Sequence, residues 1–162
     1  MEDHKIENFE KDHPGVSFPT HVVQSAEARV RLMRGLGERL GIVGSDGLKL
    51  VRGLQSTVPW DTGEVPETTR FDFLQILENG GFEAPETVLV NWDRFETVES
   101  IAATQLADYF DYIWYPSVDD IEIMDESLKW VLRVDHSGCW SFMKLCSRPR
   151  PAEPCNFLPG SG

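Results

Sequence analysis

Four histidines, three cysteines and a dense set of carboxylates are the side chains of this chain that could do chemistry. His136 follows Asp135 and lies just before Cys139, so an imidazole, a carboxylate and a thiol sit close together in the sequence. A carboxylate can fix the tautomer of an imidazole and make it a general base. Adjacent residues of a strand point to opposite faces, however, which makes Asp135 a poor support for His136, and a polar residue in a hairpin turn is the plainer reading. Cys139 stands beside that turn and not at a helix N-terminus, where a thiolate would be favoured. Cys139, Cys146 and Cys155 form no CxxC pair, and no histidine has a second one at ligand spacing, so no metal or other cofactor is expected. Gly35-Leu36-Gly37 lacks the preceding strand and third glycine of a dinucleotide loop, and the chain has neither a Walker loop nor a GxSxG elbow. A small enzyme would have to use a groove near Trp114, Asp119, Asp120 and His136, and this stands as the alternative to a binding role.

The stronger signal lies in Tyr109–Asp125, where aromatic rings and carboxylates are interleaved and the tripeptide Trp114-Tyr115-Pro116 runs toward Asp119-Asp120. Rings give contact area at low entropic cost, and carboxylates speed encounter and pair with Lys or Arg. Tyr112, Trp114, Tyr115, Asp119, Asp120 and Glu122 are therefore the expected partner-binding residues. The whole chain agrees in sign: 27 acidic against 15 basic residues leave a net charge of −12. Such a balance disfavours nucleic-acid phosphates and anionic lipid and attracts a basic protein. The first residues lack the basic and apolar regions of a signal peptide, no apolar run is long enough to span a membrane, and the odd cysteine count suits reduced thiols; the expected compartment is the cytoplasm.

The segment Tyr112-Ile113-Trp114-Tyr115-Pro116-Ser117-Val118-Asp119-Asp120-Ile121, with Trp130-Val131-Leu132 and Asp135-His136-Ser137-Gly138 after it, resembles the C-terminal half of small bacterial proteins, among them immunity-type proteins of polymorphic toxin systems. The resemblance implies an acidic, cytosolic, single-domain and non-enzymatic protein, an immunity or antitoxin-like inhibitor that neutralises a toxin by occluding it.

The elements that must position these residues read as an α+β domain. Residues 1–19 are charged and carry two prolines, which suggests a mobile N-terminal segment; 20–146 form a single domain; 147–162 hold four prolines and form a tail. Val22, Ala26, Val30, Met33, Leu36 and Leu40 recur at helical steps up to a stop at Gly41. Residues 48–54 suit strand or helix equally, and 59–66 are an irregular connection dense in breakers. A short helix spans 71–79, and Thr87–Trp92 is a buried strand. Asp93 and Glu96 have capping-box spacing, with Phe95, Val98, Ala102, Leu106 and Tyr109 as the helical face beyond. From Asp120 to Leu145 the chain reads as a three-stranded antiparallel meander, with Trp130, Leu132 and Val134 on the apolar face that helices cover, and Cys139 half-buried in the last strand.

Overall fold

A computed structural model describes residues 1–44, 46–67, 70–92 and 94–145. Its centre is a seven-stranded sheet, antiparallel throughout, in the order β1-β4-β3-β5-β6-β7-β2: β1 (His21–Val23), β2 (Asp61–Glu64), β3 (Thr87–Asn91), β4 (Val98–Ala102), β5 (Ile121–Met124), β6 (Trp130–Val134) and β7 (Cys139–Lys144). The meander is where the alternation places it. Ile123 faces Leu132, Leu132 faces Phe142, and Asp135 closes the β6–β7 turn by accepting from the Ser137 and Cys139 amides at 2.9 and 3.1 Å. Cys139 itself is exposed, contrary to the half-buried position expected of it.

Six helices complete the described chain: α1 (Asp3–Asp12), α2 (Ala26–Leu40), α3 (Gly47–Ser56), α4 (Phe73–Asn79), α5 (Ala103–Asp108) and α6 (Phe110–Ile113). Local signals set their ends. The Ser25 hydroxyl accepts from the Ala28 amide at the start of α2, and Gly41, at φ 69°, ends that helix in the left-handed conformation. Asp46 caps α3 through the Leu48 and Lys49 amides. That helix settles residues 48–54, because Leu50 and Leu54, one turn apart, are both buried. Gly47 opens it against the Arg94 carbonyl, so closely that a Cβ there would collide.

Trp130, Leu132 and Val134 join Val88, Val90, Ile101, Ile121 and Ile123 in the core under α4, α5 and α6. Helices cover the opposite face as well: Leu32 and Leu36 of α2 with Leu50 and Leu54 of α3 pack on Leu89, Val98, Met124, Val131 and Met143. Strands covered on both sides lose the clean alternation of apolar and polar residues.

Three stretches differ from expectation. Residues 1–19 are no loose lead-in: they contain α1, with Lys5 and Phe9 buried. Residues 61–64 form an edge strand on β7; an edge strand is paired on one side only, so flanking prolines do no harm, and Gly63 makes room for the Trp140 ring. Val98–Ala102, expected in a helix, is β4, bonded to β3 on one side and β1 on the other. The three-residue step from Val98 to Ile101 suits a strand covered on both faces equally well, and here Val98 packs under α2 and α3 while Ile101 joins the opposite core. Asp93 of the expected capping box, Cys146, Cys155 and the 147–162 tail lie outside the described residues. Among the described residues no helix is long and apolar enough to cross a membrane.

Candidate interaction site

The aromatic-acidic segment begins in α6, leaves it at Trp114 and reaches β5 through a turn in which Ser117 takes φ 68°. Besides backbone bonds from the Val118 and Asp119 amides to the Tyr115 carbonyl, three more hydrogen bonds fix that turn. The Trp114 indole donates to the Asp119 carbonyl at 2.9 Å, the Tyr115 amide to Asp119 Oδ2 at 2.7 Å, and the Ser117 amide to the His136 carbonyl at 2.7 Å. Asp119 thus folds its own loop with its side chain and backbone together. Its carboxylate is buried, and the charge is met by Lys5 of α1, whose Nζ lies 2.6 Å from Asp119 Oδ2 and 2.8 Å from the Ile113 carbonyl. The same ammonium sits over the rings of Trp92, at 4.5 Å, and Tyr115, at 5.2 Å. A lysine that is 1% exposed therefore has the Asp119 carboxylate, a carbonyl and two ring faces against it, with the exposed Glu2 carboxylate at 3.8 Å. Beside it, the Met1 amine contacts Glu99, which also accepts from the Trp92 indole at 3.1 Å.

Asp120, the next residue, turns outward. Its Oδ1 accepts from the His136 amide at 2.8 Å and lies 2.9 Å from His136 Nδ1. So the partner of His136 is Asp120, across the strand pair, and the neighbouring Asp135 is engaged by the turn. Both members of the pair are more than half exposed, at 61% and 54%. Glu122 is 3% exposed. It accepts from Asn91 Nδ2 at 2.6 Å and Arg133 Nε at 3.2 Å, and these residues stand opposite one another on β3, β5 and β6. Burial holds the Glu122 carboxyl above the ordinary carboxylate range, against the opposing pull of Asn91 and Arg133. Asn91 Oδ1 in turn accepts from the Phe95 amide, which fixes a loop where Arg94 and Phe95 both have positive φ. A groove of about 370 Å³ opens here between α3 and the sheet, lined among others by Arg52, Trp92, Arg94, Asp120 and Glu122.

The six residues expected to form one patch therefore divide. Trp114 stacks on Phe110 in the core, and Asp119 and Glu122 are buried and paired; Asp120 is exposed, while Tyr112 and Tyr115 are half-buried. Of the groove expected for an enzyme, Asp120 and His136 meet at the surface, whereas the side chains of Trp114 and Asp119 turn inward. Among the described residues no three His, Cys, Asp or Glu side chains gather as metal ligands would.

What the segment alone does not reveal is its neighbour, α1. Asn8 donates to the Tyr115 hydroxyl at 3.1 Å, and the Tyr112 hydroxyl donates to Asp12 at 3.2 Å. Desolvation, and then the Asp12 charge, hold the Tyr112 phenol above its ordinary range. Phe9 packs edge-on against Tyr109, Tyr112 and Phe18. On the outside of α1, Glu2, Asp3, Glu7, Glu10 and Asp12 are exposed, and Asp111 of α6 is exposed too. The available signal is the four-residue step Met1, Lys5, Phe9, His13, a helical stripe disguised by the lysine in it. Set against protein-family models, curated proteins and solved structures, the chain shows no significant match to any.

Proposed function

We propose that this chain is a non-enzymatic protein-binding domain, an immunity or antitoxin-like inhibitor acting in the cytoplasm, that occludes a basic partner protein. The observation that carries this reading is the surface made by α1 with α6, where exposed Glu2, Asp3, Glu7, Glu10, Asp12 and Asp111 surround the half-buried rings of Tyr112 and Tyr115. Rings of this kind anchor an interface, and carboxylates around them draw a cationic partner in and suppress wrong ones. Asp119 supports this surface from inside through Lys5, whereas Asp120 is exposed beside His136 past the turn.

The test is association with the protein encoded beside this chain in its host, measured for wild type and for Glu7→Gln/Glu10→Gln/Asp111→Asn at low and high salt. Steering by rim charges predicts association slowed several-fold at low salt, a difference that shrinks once the Debye length falls to about 3 Å near 1 M salt, and little change in dissociation. Equal association rates at both salts would remove this surface from the reading.

A further inference from the structure

The groups in direct contact with the Lys5 ammonium belong to the body of the domain; α1 itself adds only the exposed carboxylate of its N-cap, Glu2, at 3.8 Å. Asp119 is oriented by the Tyr115 amide and the Trp114 indole, and the turn that carries it is tied to the β6–β7 connection by Ser117. Trp92 belongs to the β3–β4 connection, and the Ile113 carbonyl to the end of α6. What α1 contributes is two buried side chains, Lys5 and Phe9, four residues apart on one helical face. Phe9 fills the socket between Tyr109 and Tyr112, with ring centroids 4.9 and 5.4 Å away. The body thus carries a preformed receptor for a short helix with an ammonium at one position and a ring one turn on. Its occupant is a ten-residue helix, joined through residues 13–20, that buries few side chains; such elements open below the global unfolding free energy.

We infer that the surface beneath α1 is a receptor for a lysine-bearing helix, that α1 is its resident occupant, and that a basic partner seats by exchanging its own lysine and aromatic residue for Lys5 and Phe9. The choice of partner rests on the function proposed above; the receptor and its exchange rest on the geometry alone. The chemistry is specific. An ammonium places its charge between one carboxylate, one carbonyl and two ring faces, whereas the larger planar guanidinium does not match that compact set. The tether keeps α1 at an effective concentration in the millimolar range, so an incoming helix succeeds only when it binds better or when α1 is weakened.

The experiment uses the full chain, as wild type and as Lys5→Ala, with a labelled synthetic peptide of residues 1–14 and its Lys5→Ala version, read by fluorescence anisotropy. The native peptide is expected to bind the Lys5→Ala chain at least about tenfold more tightly than it binds wild type, because the resident helix has lost one of its two buried anchors and keeps only Phe9. It should also bind that chain at least about tenfold more tightly than the Lys5→Ala peptide does. Absence of binding to a Lys5→Ala chain that circular dichroism shows to be folded, or equal binding of the two peptides, would overturn the inference. Should the Lys5→Ala chain fail to fold, hydrogen exchange on wild type decides: α1 amides that exchange well ahead of those in β5 and β6 support exchange of the helix, and equal protection overturns it. No basic partner enters this assay, so its failure leaves the proposed partner class standing, and the salt-dependent kinetics can fail with the peptide result intact.

Discussion

Replacing Lys5 by methionine keeps most of the side-chain volume and removes the ammonium from between Asp119, the Ile113 carbonyl and the Trp92 and Tyr115 rings. Asp119 then holds a buried negative charge with the Tyr115 amide still in place at 2.7 Å. Breaking one side of a buried pair costs about 3–5 kcal/mol, because the remaining charge has been taken from water without compensation. The surviving amide bond and the slight exposure of Asp119 place Lys5→Met near the lower figure, about 3 kcal/mol. Asp119→Asn alone leaves the ammonium with neutral oxygens and the solvent-exposed Glu2 carboxylate at 3.8 Å, for a loss of about 2–3 kcal/mol. In Lys5→Met/Asp119→Asn no charge is left buried and the introduced amide oxygen can still accept from Tyr115, so the double variant should be about 1–2 kcal/mol more stable than Lys5→Met. Urea unfolding followed by circular dichroism, over all four corners of the cycle, measures the coupling directly. If the double variant loses the sum of the two singles, the pair behaves as an exposed one and α1 is held by something else. The burial of Asp119 also changes what a binding experiment can use: it belongs to the folded core of the site, and neutralising it alters stability and encounter together.

Leu132→Ala should cost about 2–5 kcal/mol, since Leu132 is fully buried under the α4–α6 layer; an unchanged urea midpoint would place it outside the core. Glu122 gives a pH dependence. With its carboxyl raised above the ordinary range by burial, the folded state binds the proton more tightly than the unfolded chain, so ionising Glu122 costs folding free energy as pH rises through and above about 4.3. The stability of wild type relative to Glu122→Gln should therefore fall as pH rises above about 4.3 in paired urea titrations, and a gap that stays constant or moves in favour of wild type would refute this.

Strands β3, β5, β6 and β7 are legible in the chain itself because each alternates or runs apolar between turn residues, and these patterns depend on neighbours along the backbone. Helix α2 and its stop at Gly41 are legible for the same reason, although the periodicity starts the helix too early because Val22 shares the helical step. The acidic balance and the clustering of rings with carboxylates in Tyr109–Asp125 are likewise properties of composition and spacing. Which of those side chains meets solvent is a different kind of fact. Asp119 and Asp120 are consecutive and chemically alike, yet one is buried on Lys5 and the other is exposed beside His136. A strand sends neighbours to opposite sides, and only packing decides what waits on each side. The same holds for Val98–Ala102, whose apolar spacing fits a helix until β1 and β3 supply ladder partners, and for Glu122, buried because α3 covers a face that its polar residues seemed to leave open. It holds most of all for α1. A ten-residue helix whose only apolar members are Ile6 and Phe9 cannot be held in place by local propensity. Lys5 is an anchor only because Asp119, more than a hundred residues further along the chain, is folded to within 2.6 Å of it.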